Sequence, residues 1–377
     1  MLSPALLARQ QRPPQEPVER EIPEDTPASQ LVRNAMLGDE QAIRRALDAG
    51  VDVNASAPSG VTALASAALH GHVGLVRVLL AARADTERAD TSGATPLMLA
   101  AAQGHRAVVE TLAAARAKLD ARDKNGMTAL MAAASANRPD ILKILLGDGA
   151  DVNMRDGQGS NALMAAAFGG YAETGRLLLE KGADVNARDE SGRTALMAAA
   201  LGGATTMAEA LLAAKADPAV QDLAGSTALT YAASNGHAGL VDLFRTRGVT
   251  KGLEAALAFA ARGCHTTIVR TLLDAGARVD VRVQDTPMVT LAAGANCGEA
   301  VAMLLDKGAD VNAKRPDGTT ALMDAAREGL LDVVTLLLDR GADLDARAEN
   351  GQTAWLAAGM RGHLEVVELF RKIRERK

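Results

Sequence analysis

Shifted by 33 residues, this chain falls on itself. One glycine recurs at Gly60, Gly93, Gly126, Gly159, Gly192 and Gly225, and a second mark recurs at Gly38, Gly71, Gly104, Asn137, Gly170, Gly203 and Gly236. Two short apolar runs lie in every period. A chain built this way has no single central core, because each unit can bury its apolar face only against the units beside it. The 377 residues would otherwise suggest two or three ordinary domains, but they read as one stack that grows in one dimension.

Each unit is punctuated in the same order. Gly192-Arg193-Thr194-Ala195-Leu196 is the pattern for the entry, and the first helix opens on Thr62, Thr95, Thr128, Asn161, Thr194, Thr227, Thr320 or Thr353. These side chains can accept a hydrogen bond from the free N–H groups of a first turn. Pro96 and Pro287 follow their threonines at the first helical position, where a missing N–H costs nothing. Leu64, Leu97, Leu130, Leu163, Leu196, Leu229 and Leu322 come two residues after the cap and should point into the stack. The second helix ends at Gly50, Arg83, Arg116, Gly149, Gly182, Lys215 and Gly248. A left-handed residue is expected there, strain-free for glycine and costing about 1 kcal/mol for arginine or lysine.

Read together, the units run Gly-x-Thr-(Ala/Pro)-Leu, then Ala-Ala-x-x-Gly-His, then Leu-Leu-x-x-Gly-Ala-Asp-Val-Asn, and they resemble the ankyrin repeat family over about residues 28 to 377. The resemblance implies an all-α solenoid of about eleven ankyrin-type units, helix pairs joined by β-hairpin-like loops, curved so that loops and first helices line a concave face. It also implies a histidine after the core leucine, bonded to the neighbouring hairpin, where this chain carries Met98, Met131, Met164, Met197 and Met323. Those methionines read as core filler, and one inter-repeat bond of the family is expected to be absent. The hairpin rows Arg122, Arg155, Arg188, Lys314, Arg347 and Asp123, Asp156, Asp189, Asp222 read as solvated charge pairs of little individual value.

The periodicity fails in three places. Residues 1–27 hold six of the twelve prolines among alternating charges, a composition that cannot bury enough surface to order itself, so a disordered leader is expected before a stack over 28–372. From Gly236 to Cys264 the spacing drops from 33 to 28, which predicts a shortened hairpin and an irregular seam near 245–263; the unit containing Thr286-Pro287 is one residue too long. At the far end Trp355 stands at the core-leucine position, and 373–377 form a basic tail read as a solvated helix end.

The two cysteines, Cys264 and Cys297, fall in adjacent units. Stacked helices lie about 8–10 Å apart, beyond the roughly 7 Å Cα limit for a disulfide, so free thiols in a reducing, cytoplasmic setting are expected. With 41 basic against 46 acidic residues nothing invites a nucleic acid, and no apolar run is long enough to span a membrane. Gly157-Gln158-Gly159-Ser160-Asn161-Ala162 mimics a dinucleotide loop but falls on the repeat's own hairpin and cap. His70-Gly71-His72 hints at a metal, yet no carboxylate or cysteine set accompanies it. Asn54-Ala55-Ser56 is a glycosylation sequon that matters only in an exported protein. No metal, no cofactor and no enzymatic activity are expected.

The resemblance therefore implies a monomeric protein-binding scaffold or adaptor. A regulatory subunit that occludes an enzyme or toxin is the alternative. The residues before the Gly-His break face the concave surface in the family. Here they include Leu69, His70, Gln103, Phe168 and Leu201, with Tyr231 on the next helix and Arg188, Glu190 and Arg193 as the hairpin rim. Phe168 and Leu201 with Tyr231 would make an apolar patch for a helix or extended peptide. The same two side chains could instead fold back as ordinary core.

Overall fold

The structure is a computed structural model and describes residues 26–375. Among the described residues there are 22 helices in eleven pairs, and the chain divides into two compact bodies, which meet in sequence at Asp156 and Gly157. The first body holds α1 (Pro27–Leu37), α2 (Glu40–Asp48), α3 (Ala63–Leu69), α4 (Val73–Ala81), α5 (Pro96–Gln103), α6 (Arg106–Ala114), α7 (Ala129–Ser135) and α8 (Pro139–Gly147). The second begins with α9 (Ala162–Phe168), α10 (Ala172–Glu180), α11 (Ala195–Gly202), α12 (Thr205–Ala213), α13 (Ala228–Ser234), α14 (Ala238–Thr246), α15 (Leu253–Arg262) and α16 (Thr266–Asp274). A two-stranded hairpin of β1 (Arg282–Val283) and β2 (Thr286–Pro287) follows. The chain then runs through α17 (Met288–Gly294), α18 (Gly298–Asp306), α19 (Ala321–Arg327), α20 (Leu331–Asp339), α21 (Ala354–Arg361) and α22 (Leu364–Glu375).

The helices are short because the sequence stops them early. All eight expected caps accept the backbone N–H three residues on, as Thr62 does from Ala65 at 3.1 Å and Asn161 from Met164 at 3.0 Å. Arg83, Arg116 and Lys215 adopt φ of 64°, 62° and 66° after their second helices, so the left-handed position is kept even without glycine. The leucine row is 1% exposed at every position, and the methionine row is 2–6% exposed. Isolated helices of seven to nine residues would not persist in water; burial of these two rows against neighbouring units is what stabilises them.

Besides the core, three hydrogen-bond ladders fix the register of neighbouring units. Backbone joins hairpin to hairpin: Thr91 N–H donates to Ser59 O, Lys124 to Ser92 O, Glu190 to Gln158 O, Leu223 to Ser191 O and Glu349 to Asp317 O, all at 2.9–3.0 Å. Side chains join the loops after the second helices, where Asn54, Glu87 and Asp120 in the first body, and Asn186 and Asn312 in the second, each accept a backbone N–H 31 residues on. The Gly-His histidines reach back a whole unit: Nε2 of His72, His105, His237 and His363 bonds the carbonyl of Met36, Leu69, Leu201 and Arg327. Each of these rings packs on the preceding break glycine. A Cβ on Gly203 would stand 2.8 Å from the His237 ring.

The hairpin charge rows behave differently from the expected pairing. Arg122 donates to Arg155 O, Arg188 to Gln221 O and Lys314 to Arg347 O, so three members of this row are struts to the next hairpin's backbone, and Arg282 reaches Lys314 O in the same way. The aspartates turn inward instead: Asp123, Asp189 and Asp222 each use Oδ1 to accept two backbone N–H groups of their own hairpin. A carboxylate within reach of two free N–H groups gains more from them than from a solvated guanidinium.

Four other expectations need correction. The cysteines are joined: Cys264 and Cys297 form a disulfide with Cα atoms 5.4 Å apart. The helix-axis spacing was the wrong measure, because Cys264 occupies the break-glycine position and Cys297 the histidine position of the next unit, two points that touch in the regular units, as Gly203 and His237 do. With that, the step from free thiols to a reducing compartment loses its premise. Pro287 is the N-cap of α17 and a strand residue rather than its first helical residue, since Gln284 and Asp285 take φ of 50° and 59° in a tight hairpin turn. Trp355 is only half-buried; its ring packs against Phe370 at 6.0 Å and beneath the Arg374 guanidinium at 5.0 Å. At the start, Thr26 caps α1 with Pro27 at its first turn, so the helical stack begins within the last residues assigned to the leader; at the other end α22 runs to Glu375. The rest of the leader, residues 1–25, lies outside the described residues.

Candidate protein-binding surface

The nine residues singled out in the sequence fall in both bodies. In the first, Leu69 is half-buried and its carbonyl accepts from His105. His70 turns back to bond Ser66 O at 2.8 Å and stacks on His72 with ring centroids 6.1 Å apart, while Gln103 is exposed.

The second body carries the remaining six. Phe168 ends α9, Leu201 lies in the last turn of α11 and Tyr231 in α13, and all three are half-buried. Small residues set this arrangement. A Cβ on Gly202 would collide with Phe168 O, so glycine lets the end of α11 close onto the end of α9. The Tyr171 ring lies where a Cβ on Gly169 would be.

Polar groups around these side chains are held tightly. Tyr231 donates its hydroxyl to Asp222 Oδ2 at 2.6 Å. Burial first, and then the bond to the Asp222 carboxylate, push the phenol well above its ordinary range, so it stays a neutral donor. Arg193 grips Asp189 Oδ2 through Nε at 2.8 Å and a terminal nitrogen at 2.7 Å, and with side-chain exposures of 13% and 4% the pair belongs to the hairpin's frame. Arg188 is committed to Gln221 O and Gly192 O. Glu190 is exposed, with its backbone N–H in the hairpin ladder. The rim residues therefore differ in kind: Glu190 presents its charge, Arg193 and Arg188 spend theirs on structure.

One cluster was missed by the sequence reading. Nine residues beyond hairpin Asp222 stands Tyr231, and nine beyond Arg315, which replaces that aspartate, stands Asp324. Asp324 is 2% exposed and bridges Arg315 and Arg327, each at 2.7 Å. Burial raises its carboxyl above the usual range, against the opposing pull of the two guanidinium groups. The signal was present as a paired exception: arginine where Asp90, Asp123, Asp156, Asp189 and Asp222 stand, and aspartate where Ala132, Ala165 and Ala198 stand.

Among the described residues no group of three or more His, Cys, Asp or Glu is placed to hold a metal ion, and no helix is long and apolar enough to cross a membrane. A comparison with curated proteins finds no match. The family of ankyrin repeats (3 copies) matches in overlapping segments at residues 31–123, 83–156, 115–189, 151–222, 196–285, 229–315, 257–348 and 289–375. With helix pairs, hairpins and inter-unit bonds arranged as described, the chain belongs to the ankyrin repeat family, whose members are generally protein-interaction modules and typically non-catalytic.

Proposed function

We propose that this protein is a non-catalytic adaptor that holds another protein on the surface formed by Phe168, Leu201 and Tyr231, with Glu190 at its rim. The observation that supports it is the half-burial of three large side chains, two of them among the chain's seven aromatic residues, on the adjacent first helices α9, α11 and α13. Half-buried aromatic and aliphatic groups already have restricted rotamers, so a partner gains apolar burial with little further ordering cost. The fixed Tyr231–Asp222 and Arg193–Asp189 pairs keep the floor of this surface rigid. A helix or extended peptide with a few apolar anchors suits a surface of this kind.

The test is the double variant Phe168→Arg/Leu201→Arg. It should keep the helical circular dichroism of the wild type and lose partner binding, since two partly solvated arginines remove the apolar anchors and add positive charge. Phe168→Gln/Leu201→Gln provides the milder change if the arginines impair folding. A folded variant that binds the same partner with unchanged affinity defeats the proposal. An enzyme as the bound partner, with its activity lost in the complex, would identify the occluding form of this function.

A further inference from the structure

The disulfide lies in a stretch of the second body where the regular register devices thin out: between Leu223 and Glu349 no hairpin donates a backbone bond to its neighbour, although His265 still reaches back to Ser234 O. No hairpin backbone bond of the Leu223-to-Ser191 type is made by the shortened loop between α14 and α15, which is entered through Gly252 without a side-chain cap. At the next junction the position held by His237 and His363 elsewhere is Cys297, which cannot reach back a unit as an imidazole does. In its place a covalent bond joins Cys297, 1% exposed at the head of α18, to Cys264, an exposed residue with φ of 53° between α15 and α16. The pair thus reproduces the glycine–histidine contact of the regular units in covalent form.

We propose that Cys264–Cys297 is a thiol-exchange site, a latch by which a dithiol reductant controls whether the α15–α16 and α17–α18 units stay docked. The two sulfurs differ in access, which fixes the order of events. A thiolate of the reductant attacks Sγ of Cys264; the bond between the two cysteine sulfurs breaks, and the electron pair leaves on Sγ of Cys297, which takes a proton from water. The reductant's second thiol then displaces Cys264 from the mixed disulfide. Two protein thiols and one oxidised reductant result, so two electrons pass from the reductant to the protein. Without the bond, the junction retains helix packing and the exposed Arg270–Glu299 and Lys307–Asp274 ion pairs, but neither the hairpin bond nor the histidine bridge. The opening is local, since the regular junctions farther out, α11 to α13 and α19 to α21, keep both.

Hydrogen exchange on the full chain, oxidised and after treatment with dithiothreitol, tests the latch. Reduction should speed amide exchange in α15 to α18 by about tenfold or more, with α9 to α12 unchanged. A brief reduction in the presence of an alkylating reagent should modify Cys264 before Cys297. The variant Cys264→Gly/Cys297→His restores the glycine and histidine of the regular units; its exchange should be indifferent to dithiothreitol, and slower in α15 to α18 than that of the reduced wild type. Any of three results overturns the proposal: no linked 264–297 peptide in a non-reducing digest of the oxidised protein, identical exchange before and after reduction, or loss of protection across α9 to α12 along with the seam.

Discussion

Two junctions in the second body show opposite solutions to the same problem. Between the units of α11 and α13, a backbone bond from Leu223 to Ser191, an Asn186 bridge to Asp217 and a His237 bridge to Leu201 act in parallel. Between the units of α15 and α17 a single disulfide stands at the histidine bridge's place. Net hydrogen bonds contribute about 1 kcal/mol each, so losing one of several in parallel leaves a regular junction closed. A junction whose other ties are two exposed ion pairs, Arg270–Glu299 and Lys307–Asp274, can be opened by breaking its one strong bond. Redundancy makes the regular units robust, and its loss makes the seam addressable.

The largest expected effect contrasts two hairpin glycines. A Cβ on Gly318 would stand 2.9 Å from Ala348 Cα in the next hairpin, whereas one on Gly225, at the edge of the seam, would meet only the Gln221 side chain at 3.9 Å. Both have left-handed φ, 80° and 77°. Gly318→Ala should therefore cost about 3 kcal/mol, strain plus displaced backbone, and Gly225→Ala only about 1 kcal/mol. Equal shifts in the denaturation midpoint would mean that a hairpin ladder continues through the seam.

A smaller effect is expected at the exceptional charge cluster. Asp324→Ala leaves Arg315 and Arg327 facing each other and should cost about 2 kcal/mol, reduced from a fully buried pair because the arginines are 29% and 37% exposed. Adding Arg315→Asp restores the residues of the regular units and should recover at least half of that loss. No recovery in the double variant would show that the pair serves something other than register.

The smallest contrast concerns two threonines. Thr230 and Thr227 share a reciprocal capping box, but Thr290 faces Pro287 and its buried hydroxyl has no hydrogen-bond partner among the described residues. Thr230→Val should lower stability by about 1 kcal/mol, and Thr290→Val should raise it by about 0.5 kcal/mol. Opposite signs in thermal unfolding support the assignment of a frustrated cap to the seam unit; a loss at both positions counts against it.

Much of the fold was legible because one unit's rules repeat. The threonine caps, left-handed turn residues and buried leucine and methionine rows follow from local chemistry. Of the candidate surface, the sequence located Phe168, Leu201 and Tyr231 on neighbouring first helices, but their half-burial depends on how closely Gly202 lets α11 approach α9. Arg193 looked like a free rim charge because nothing in its own turn reveals that Asp189 is buried beside it.

By itself, then, the sequence determined the unit, its period, its caps and the place where the period fails, because each rests on residues within one turn or one repeat of each other. Tertiary structure alone decided what happens between units. Whether Arg188 pairs with a carboxylate or a carbonyl, whether Asp324 is solvated or clasped, and whether Cys264 meets Cys297 all depend on a loop of one unit approaching the loop of the next to within one side chain's length. Helix-axis spacing does not report that distance: the loops touch where the helices stand apart.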